Sequence, residues 1–442
     1  FCSKFIRWQS DGIGSASKIT ALVAIKLYLC QKKMLRWTLF ILFFALFEWY
    51  AFQAIKTVTQ NRWIWLFYSI IVISIFGSLI WGGYNRSEGM TVSFNYAIGS
   101  FLMLIAFQIL LIAFLFIEDL ARIFQAIYGY LTGNKVSDAG FLPSRRKFVS
   151  QIALGLASIP LTSLLYGMYK GRYNYKVLQY ELTYDDLPEA FDGFTITQIS
   201  DVHSGSFDNA KKVQYGIDLI NRQQSDVILF TGDFVNNQTS ELDPWIDIFA
   251  QLKAPFGKYS VMGNHDYGDY MQWPSEAAKV ENFEAFKKAH QSMGFDLLLN
   301  ESRFLEKDGQ RLALIGVENW GAGRFKKAGD LNKAVSGLQA TDFKVLMTHD
   351  PSHWEAEVLP HPFPFHLTLS GHTHGMQFGI EIPGWIKWSP AQWRYKQWAG
   401  IYERDQQRIN VNRGFGFLAY PGRVGMWPEV SVITLRRTSS LT

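Results

Sequence analysis

The chain has 442 residues, of which 48% are hydrophobic, 16% aromatic and only 18% charged, whereas soluble domains carry about 25% charged residues. A net charge of +5 without a dense Lys/Arg block leaves no nucleic-acid footprint, and the composition excludes disorder and collagen-like repeats. Only Cys2 and Cys30 are present, both ahead of the first apolar run, so a disulfide framework, a thiolate metal site and a cysteine nucleophile are excluded downstream.

The apolar excess is concentrated between residues 37 and 169. Met34, followed directly by Leu35, Arg36 and an apolar run, is expected as the natural start, with residues 1–33 a non-native or disordered leader. A helix needs about 20 apolar residues to cross a hydrocarbon core. Runs 37–55, 63–84 and 95–117 meet or approach that length, which gives three transmembrane helices within 34–143. Trp37, Trp49, Tyr50, Trp63, Trp65, Trp81 and Tyr84 lie near the run ends, as interfacial aromatics do. Glu48 is the one carboxylate well inside a run; it is read as snorkelling or pairing within the bundle, with an ion-pathway role as the alternative.

Residues 144–150 read Ser-Arg-Arg-Lys-Phe-Val-Ser and precede a moderately apolar stretch, 151–169. This is similar to a twin-arginine export signal. No small-residue cleavage pattern follows, so 144–169 is expected to stay as an anchor, and the twin-arginine machinery is the expected partner. An ordinary fourth span gives the same placement. With the amino end outside, seven basic residues fall in cytoplasmic loops (Lys56, Arg62, Arg122, Lys135, Arg145, Arg146 and Lys147) against five outside (Arg36, Arg86, Lys170, Arg172 and Lys176). Counting residues 1–33 adds six basic residues outside and reverses the balance. The twin-arginine pattern favours a multi-pass protein of the inner (cell) membrane with residues 170–442, the catalytic domain, on the extracytoplasmic side.

From residue 177 short apolar runs alternate with polar helical stretches, the rhythm of an α/β domain. Five runs end alike. Phe194–Ser200 leads to Asp201-Val202-His203, Asp226–Thr231 to Gly232-Asp233, and Tyr259–Met262 to Gly263-Asn264-His265-Asp266. Lys344–Thr348 leads to His349, and His366–Ser370 to Gly371-His372-Thr373-His374. Ligands of α/β sheets gather beyond the carboxyl ends of strands, so the five loops are expected to meet in one crevice.

The residue types suit a pair of divalent ions. In an extended segment positions i and i+2 share a side, which would let Asp201 act with His203 and His372 with His374. Glycines 232, 263 and 371 are expected to turn the backbone beside the ligand. Asp201, His203, Asp233, Asn264, His349, His372 and His374 make seven donors, four per ion if one carboxylate bridges. Imidazole, carboxylate and amide donors favour manganese, iron or zinc over calcium, with manganese preferred.

These five blocks, in this order, resemble the calcineurin-like metallophosphoesterases over roughly residues 177–437. The resemblance implies two facing mixed sheets flanked by helices, here preceded by an all-α transmembrane region. It implies that Asp201, His203 and His374 serve one metal, that Asn264, His349 and His372 serve the other, and that Asp233 bridges. Asp201, Asp233 and His265 are the implied catalytic residues. His265 would stabilise the phosphoryl group or protonate the leaving oxygen, oriented by Asp201 or Asp233. Membrane-anchored bacterial members are more similar still, through Leu187 to Gly193, Asn300, Thr348-His349-Asp350-Pro351, Asn412-Arg413-Gly414 and Pro428-Glu429. Two features depart from that subgroup: Gly375-Met376-Gln377 stands where a second glycine is usual, and Glu318-Asn319 where a paired acidic segment is common.

Two metals can polarise a phosphoryl oxygen and lower the pKa of a shared water, so the implied reaction is attack of a dimetal-activated hydroxide on phosphorus. No serine-elbow or P-loop motif offers another route. Residues 375–401 mix Trp385, Trp388, Trp393, Tyr395 and Trp398 with Pro383, Lys387, Pro390, Arg394 and Lys396, which suits a membrane interface or an amphipathic lipid; packing of this loop on its own sheet is the alternative. The favoured substrate is a phosphodiester or pyrophosphate bond in a lipid-linked molecule, a bond type supported by resemblance to the UDP-diacylglucosamine pyrophosphate hydrolases. A phosphomonoesterase or protein phosphatase, or a membrane sensor or transport protein with a phosphate-binding domain, are the alternatives.

Overall fold

The computed structural model describes residues 16–84, 89–133, 143–382 and 384–438. Arg86, Lys135 and Pro383, which entered the reading above, lie outside them, as do residues 1–15. The first helix begins at Ala16 and so includes residues 16–33 of the segment read as a non-native or disordered leader.

Four long helices come first: α1 (Ala16–Val58), α2 (Arg62–Tyr84), α3 (Val92–Thr132) and α4 (Pro143–Tyr169). Each is long and apolar enough to cross a membrane. The side chain of Asn61 accepts from the Trp63 amide at 2.9 Å and that of Thr91 from the Phe94 amide at 3.3 Å, so both begin their helices as N-caps. Pro160 lies inside α4; it removes one backbone donor, which a packed membrane helix tolerates.

The chain divides into two compact units. One holds the described residues up to Ile70 together with Ile105–Pro160. Here α3 runs well past the apolar stretch that announced it, because the charges ending that stretch are paired. Arg122 Nε meets Glu118 at 2.5 Å, Arg146 Nη1 meets Glu118 at 2.7 Å and also Asp119, and Tyr50 donates to Asp119 at 2.5 Å. Glu48 accepts from Gln108, whose amide also faces Tyr68 Oη at 3.1 Å, which is pairing within the bundle.

The other unit holds Ile71–Leu104 and the chain from Leu161 onward. Its first sheet has the order β1 (Lys176–Tyr184), β14 (Glu429–Arg437), β2 (Thr195–Ile199), β3 (Val227–Phe230), β4 (Lys258–Ser260) and β5 (Asp296–Leu297). Only the β14–β2 pairing is antiparallel. The second sheet has the order β12 (Gly400–Arg404), β13 (Gln407–Val411), β9 (Leu367–Ser370), β8 (Lys344–Met347), β7 (Gln310–Gly316) and β6 (Glu301–Lys307). Its outer pairs are antiparallel and its inner pairs parallel. A short hairpin of β10 (Ile380–Ile382) and β11 (Ile386–Trp388) stands apart.

Alternation along the strands sends Ile196, Leu229, Leu314, Val345, Leu367 and Ile433 into one core shared by both sheets. The opposite face of the first sheet packs on α5 (Ala210–Asn221), α6 (Ile246–Phe249) and α7 (Glu276–Ser292) through Ile217, Phe249 and Phe286. The opposite face of the second packs on α8 (Leu331–Ala334) and Trp354. The layers are therefore helix, sheet, sheet, helix.

Within this unit the span ends are bonded to the sheet domain. The Asn237 side chain accepts from the Met90 amide at 3.0 Å and donates to its carbonyl at 3.2 Å. Asn95 donates to Ser206 Oγ at 3.2 Å, and Tyr96 donates to Asp208 at 2.9 Å. At the close of α4, Tyr420 donates to the Leu164 carbonyl at 2.6 Å and the Arg423 amide to the Gly167 carbonyl at 3.3 Å. A Cβ at Gly167 would meet the Arg423 carbonyl at 2.8 Å, so glycine permits that approach.

Candidate metal centre

The five loops meet at the carboxyl ends of β2, β3, β4, β8 and β9. Asp201, His203 and His374 bring one ligand atom each within 4.8 Å of one another, and Asp233, His349 and His372 do the same. Their side chains converge by a route different from the extended alternation expected. Asp201 and His203 have φ of 49°, Asp233 62°, His372 70° and His374 51°. Left-handed backbone at non-glycine residues costs about 1–3 kcal/mol each and persists only where the surroundings hold it. Here they do: the Asp201 amide donates to the Gly232 carbonyl at 2.9 Å, the His203 amide to the Asp233 carbonyl at 3.1 Å, and the His372 amide to Asp201 Oδ2 at 2.9 Å.

The glycines also differ from expectation. Gly232 turns at φ 98°, while Gly263 and Gly371 are needed for room: a Cβ there would run into Asp233 and into Ser200 and Asp201 respectively.

Crowding marks the centre as a cation site. His203 Nε2 and His374 Nε2 stand 3.0 Å apart, and His349 Nε2 and His372 Nδ1 3.2 Å apart. Asp233 Oδ2 lies 3.1 Å from His349 Nε2 and 3.7 Å from His203 Nε2, so it reaches toward both groups. Asn264 Oδ1 is buried without a partner while its Nδ2 donates to Tyr270 at 2.7 Å. Paired imidazole nitrogens, a shared carboxylate and an orphaned amide oxygen fit two divalent ions bound through nitrogen and oxygen.

The electrostatics agree. Burial pushes the His203 imidazole well down and that of His372 to about 4, so both rings are neutral donors. Burial also opposes protonation of His349, yet the Asp233 carboxylate beside it lifts that ring to about 10, the mark of a place where positive charge is favoured. Burial opposes ionisation of Asp201 and Asp233, but the neighbouring His374 and His349 hold both carboxyls below their ordinary range.

The surrounding shell orients these groups. His349 Nδ1 donates to the Thr231 carbonyl at 2.8 Å, which leaves Nε2 for the centre. His372 Nε2 lies 2.9 Å from Tyr395 Oη, which leaves Nδ1. Arg423, fully buried, donates to the Gly416 carbonyl at 2.8 Å and reaches His374 Nδ1 at 3.2 Å.

His265 is placed beside the first group, its ring 5.0 Å from that of His203. Its orienter is neither Asp201 nor Asp233, as expected, but the Asn236 carbonyl, which accepts from Nδ1 at 2.7 Å. Asp233 instead accepts the His265 backbone amide at 2.8 Å, and the Tyr270 ring packs 4.3 Å from the imidazole. Asp266 accepts from the amides of Gly263, Asp233 and Phe234, each at 2.8 Å, and so staples two loops together.

Asn236, Tyr270 and Arg423 escaped the sequence reading, and Tyr395 entered it only as one aromatic of the segment 375–401. Asn236 and Tyr270 follow Asp233 and His265 at short offsets, which is a usable signal; Tyr395 and Arg423 come from loops farther along the chain and carry none. Glu318 accepts from Tyr267 at 3.0 Å and from Asn300 at 2.8 Å, a scaffold role. Arg413 and Glu429 form a buried pair at 2.5 Å behind the site.

Four apolar helices, two facing mixed sheets and two His/Asp groups at their carboxyl edge define a membrane metallophosphoesterase, and the chain belongs to the calcineurin-like phosphoesterase family. Residues 194–376 match the calcineurin-like phosphoesterase model, and residues 35–172 match that of the probable calcineurin-like phosphoesterase transmembrane domain. The uncharacterized metallophosphoesterase YkuE of Bacillus subtilis is 30% identical over 302 residues, covering 67% of this chain and 99% of that protein. A zebrafish transmembrane protein with metallophosphoesterase domain is 27% identical over 281 residues, covering 62% of this chain and 60% of its own length. The chain is thus a membrane protein with a metal-dependent phosphoesterase domain.

Proposed function

We propose that this chain hydrolyses a phosphodiester or pyrophosphate bond in a lipid-linked or membrane-proximal substrate. The observation that carries hydrolysis is the convergence of two His/Asp groups on Asp233 with His265 beside them. In this reading Asp201, His203 and His374 hold one divalent ion, Asn264, His349 and His372 the other, and Asp233 both, with manganese favoured by the nitrogen and oxygen donors. Bound ions supply a polarised phosphoryl oxygen and a water acidic enough to attack at neutral pH.

The chain's own groups do the rest. Donation from Nδ1 to Asn236 fixes the His265 ring and leaves Nε2 to carry a proton to the leaving oxygen. Tyr270 packs against that ring and holds the Asn264 amide, so that Oδ1 faces the centre.

A membrane-proximal substrate is supported by the bonds between site loops and span ends. Asn237, bonded to Met90, follows the residue that orients His265, and Ser206, bonded to Asn95, lies three residues after His203. An extracytoplasmic catalytic domain is supported by the twin-arginine-like run Ser144-Arg145-Arg146-Lys147-Phe148-Val149-Ser150 ahead of the last span.

The test is hydrolysis of bis-p-nitrophenyl phosphate and p-nitrophenyl phosphate by the purified full chain with manganese, beside Asp233→Asn. Diester cleavage lost in the variant is expected. Preference for the monoester would assign a phosphomonoesterase instead, and silence from folded, metal-loaded protein would overturn hydrolysis.

A further inference from the structure

The hairpin of β10 and β11 has its polarity reversed. Register pairs Ile380 with Trp388, Glu381 with Lys387, and Ile382 with Ile386. Opposed residues share a face and successive ones alternate, so Ile380, Ile382, Ile386 and Trp388 line one face and Glu381 and Lys387 the other. The charged face is the one satisfied by the domain: Glu381 meets Arg413 at 2.6 Å, and Lys387 donates to the Ala399 carbonyl at 2.5 Å. Most of the apolar face is left outward, with Ile380 51%, Ile382 43% and Ile386 36% exposed, while Trp388 is half-buried against the rings of Phe378 and Trp393. Trp385 at the turn and Trp393 just beyond the hairpin are each 76% exposed. A hairpin folding in water alone would present the opposite arrangement.

The base of the hairpin is joined to the end of a membrane span. The Val424 amide donates to the Gln377 carbonyl at 2.9 Å, and the Gly379 amide to the Val424 carbonyl at 2.9 Å. Gln377 Nε2 donates to the carbonyls of Leu418, Tyr420 and Gly422. That same segment grips the close of α4 through Tyr420 and Arg423. The segment 418–424 therefore ties the base of the hairpin to the close of α4, a helix long and apolar enough to cross the bilayer, and the exposed tryptophans of the hairpin suit the headgroup level.

We propose that this hairpin, with its described residues 378–382 and 384–393, is a second membrane contact whose apolar face seats in the interfacial layer of the bilayer beside the metal centre. It leads directly from His374 through Gly375 and Met376, and returns to Tyr395, which lies 2.9 Å from His372. A phosphate ester at headgroup depth is thereby presented to the centre without leaving the membrane. The hairpin contact goes beyond the hydrolase reading, and its spectroscopic test does not depend on activity.

The test uses the full chain with Cys2→Ser and Cys30→Ser, reconstituted in phosphatidylcholine vesicles containing phosphatidylglycerol. Spin labels are placed singly through Trp385→Cys, Trp393→Cys and, as an aqueous reference, Asp405→Cys in the β12–β13 turn. Labels at 385 and 393 are expected to collide more with oxygen than with a water-soluble nickel chelate, and the label at 405 the reverse. Nickel access at 385 and 393 equal to that at 405 would overturn the proposal. So would labels shielded from both agents in protein that has dimerised, an outcome assigning the face to a second copy. In a paired assay, Ile382→Ser with Trp385→Ser is expected to lower hydrolysis of a vesicle-embedded phosphodiester about tenfold or more, as loss of a membrane anchor would, while retaining bis-p-nitrophenyl phosphate cleavage. Equal loss on both substrates would count against the hairpin; retained cleavage of the soluble diester with aqueous labels would remove the hairpin and leave the hydrolase.

Discussion

The backbone carbonyl of Asn236 holds His265 Nδ1 at 2.7 Å, while the Asn236 side chain donates to Ser206 Oγ at 2.9 Å. Since a carbonyl only accepts, Nδ1 must carry the hydrogen, and any proton delivered to substrate comes from Nε2. A general acid matters most when the leaving group is a poor one. His265→Ala is therefore expected to cost an alkyl phosphodiester about 10²–10⁴ in kcat and a p-nitrophenyl diester much less. Steady-state rates on the two substrates decide it; equal losses would remove the proton-donor role.

Tyr395 fixes the His372 ring through a 2.9 Å contact to Nε2. Partners of this kind typically govern metal affinity by about 10- to 100-fold. Tyr395→Phe is expected to raise the manganese concentration for half-maximal activity by that order and to leave the rate at saturating metal close to that of the parent. A lowered rate with unchanged metal dependence would assign Tyr395 to substrate instead.

His290 gives the fold an acid-sensitive point away from the metal centre. It is fully buried on α7, its Nδ1 donates to the Phe286 carbonyl at 3.1 Å, and the rings of Phe234 and Phe295 enclose it. Burial pushes its pKa down from 6.5 to about 4. The unfolded chain takes up the proton first, so the stability associated with the neutral ring is complete above about pH 6.5 and is lost as pH falls toward about 4, by at most about 3 kcal/mol. His290→Leu removes that term. Its melting temperature is expected to fall less than the parent's between about pH 7 and about pH 5, measured by thermal unfolding of the full chain in detergent; parallel curves would show that His290 does not titrate in this way.

The sequence carried the site further than it carried the geometry. Asp201, His203, Asp233, Asn264, His349, His372 and His374 each follow an apolar run, and strand ends gather ligands, so their meeting was legible. Their left-handed backbone was not, because Asp and His at positive φ are set by the bonds among loops and leave no trace in spacing. Asp266 was visible in Gly-Asn-His-Asp yet gave no hint that it staples three amides. Tyr395 and Arg423 reach the site from loops distant in sequence. In the membrane half, Glu118, Asp119 and Arg122 ended an apolar run without ending α3, since ion pairing to one another and to Arg146 offsets their burial.

The sheet order bears on how the molecule is made. β1, the first strand after the last span, pairs along all nine residues with β14, which lies between it and β2. Neither β1 nor β2 can complete its ladder until the segment Glu429–Arg437 has emerged. The domain thus cannot close before that segment has been made, and a chain interrupted ahead of Glu429 would leave two strand edges exposed, a substrate for quality-control proteases rather than a partly working enzyme.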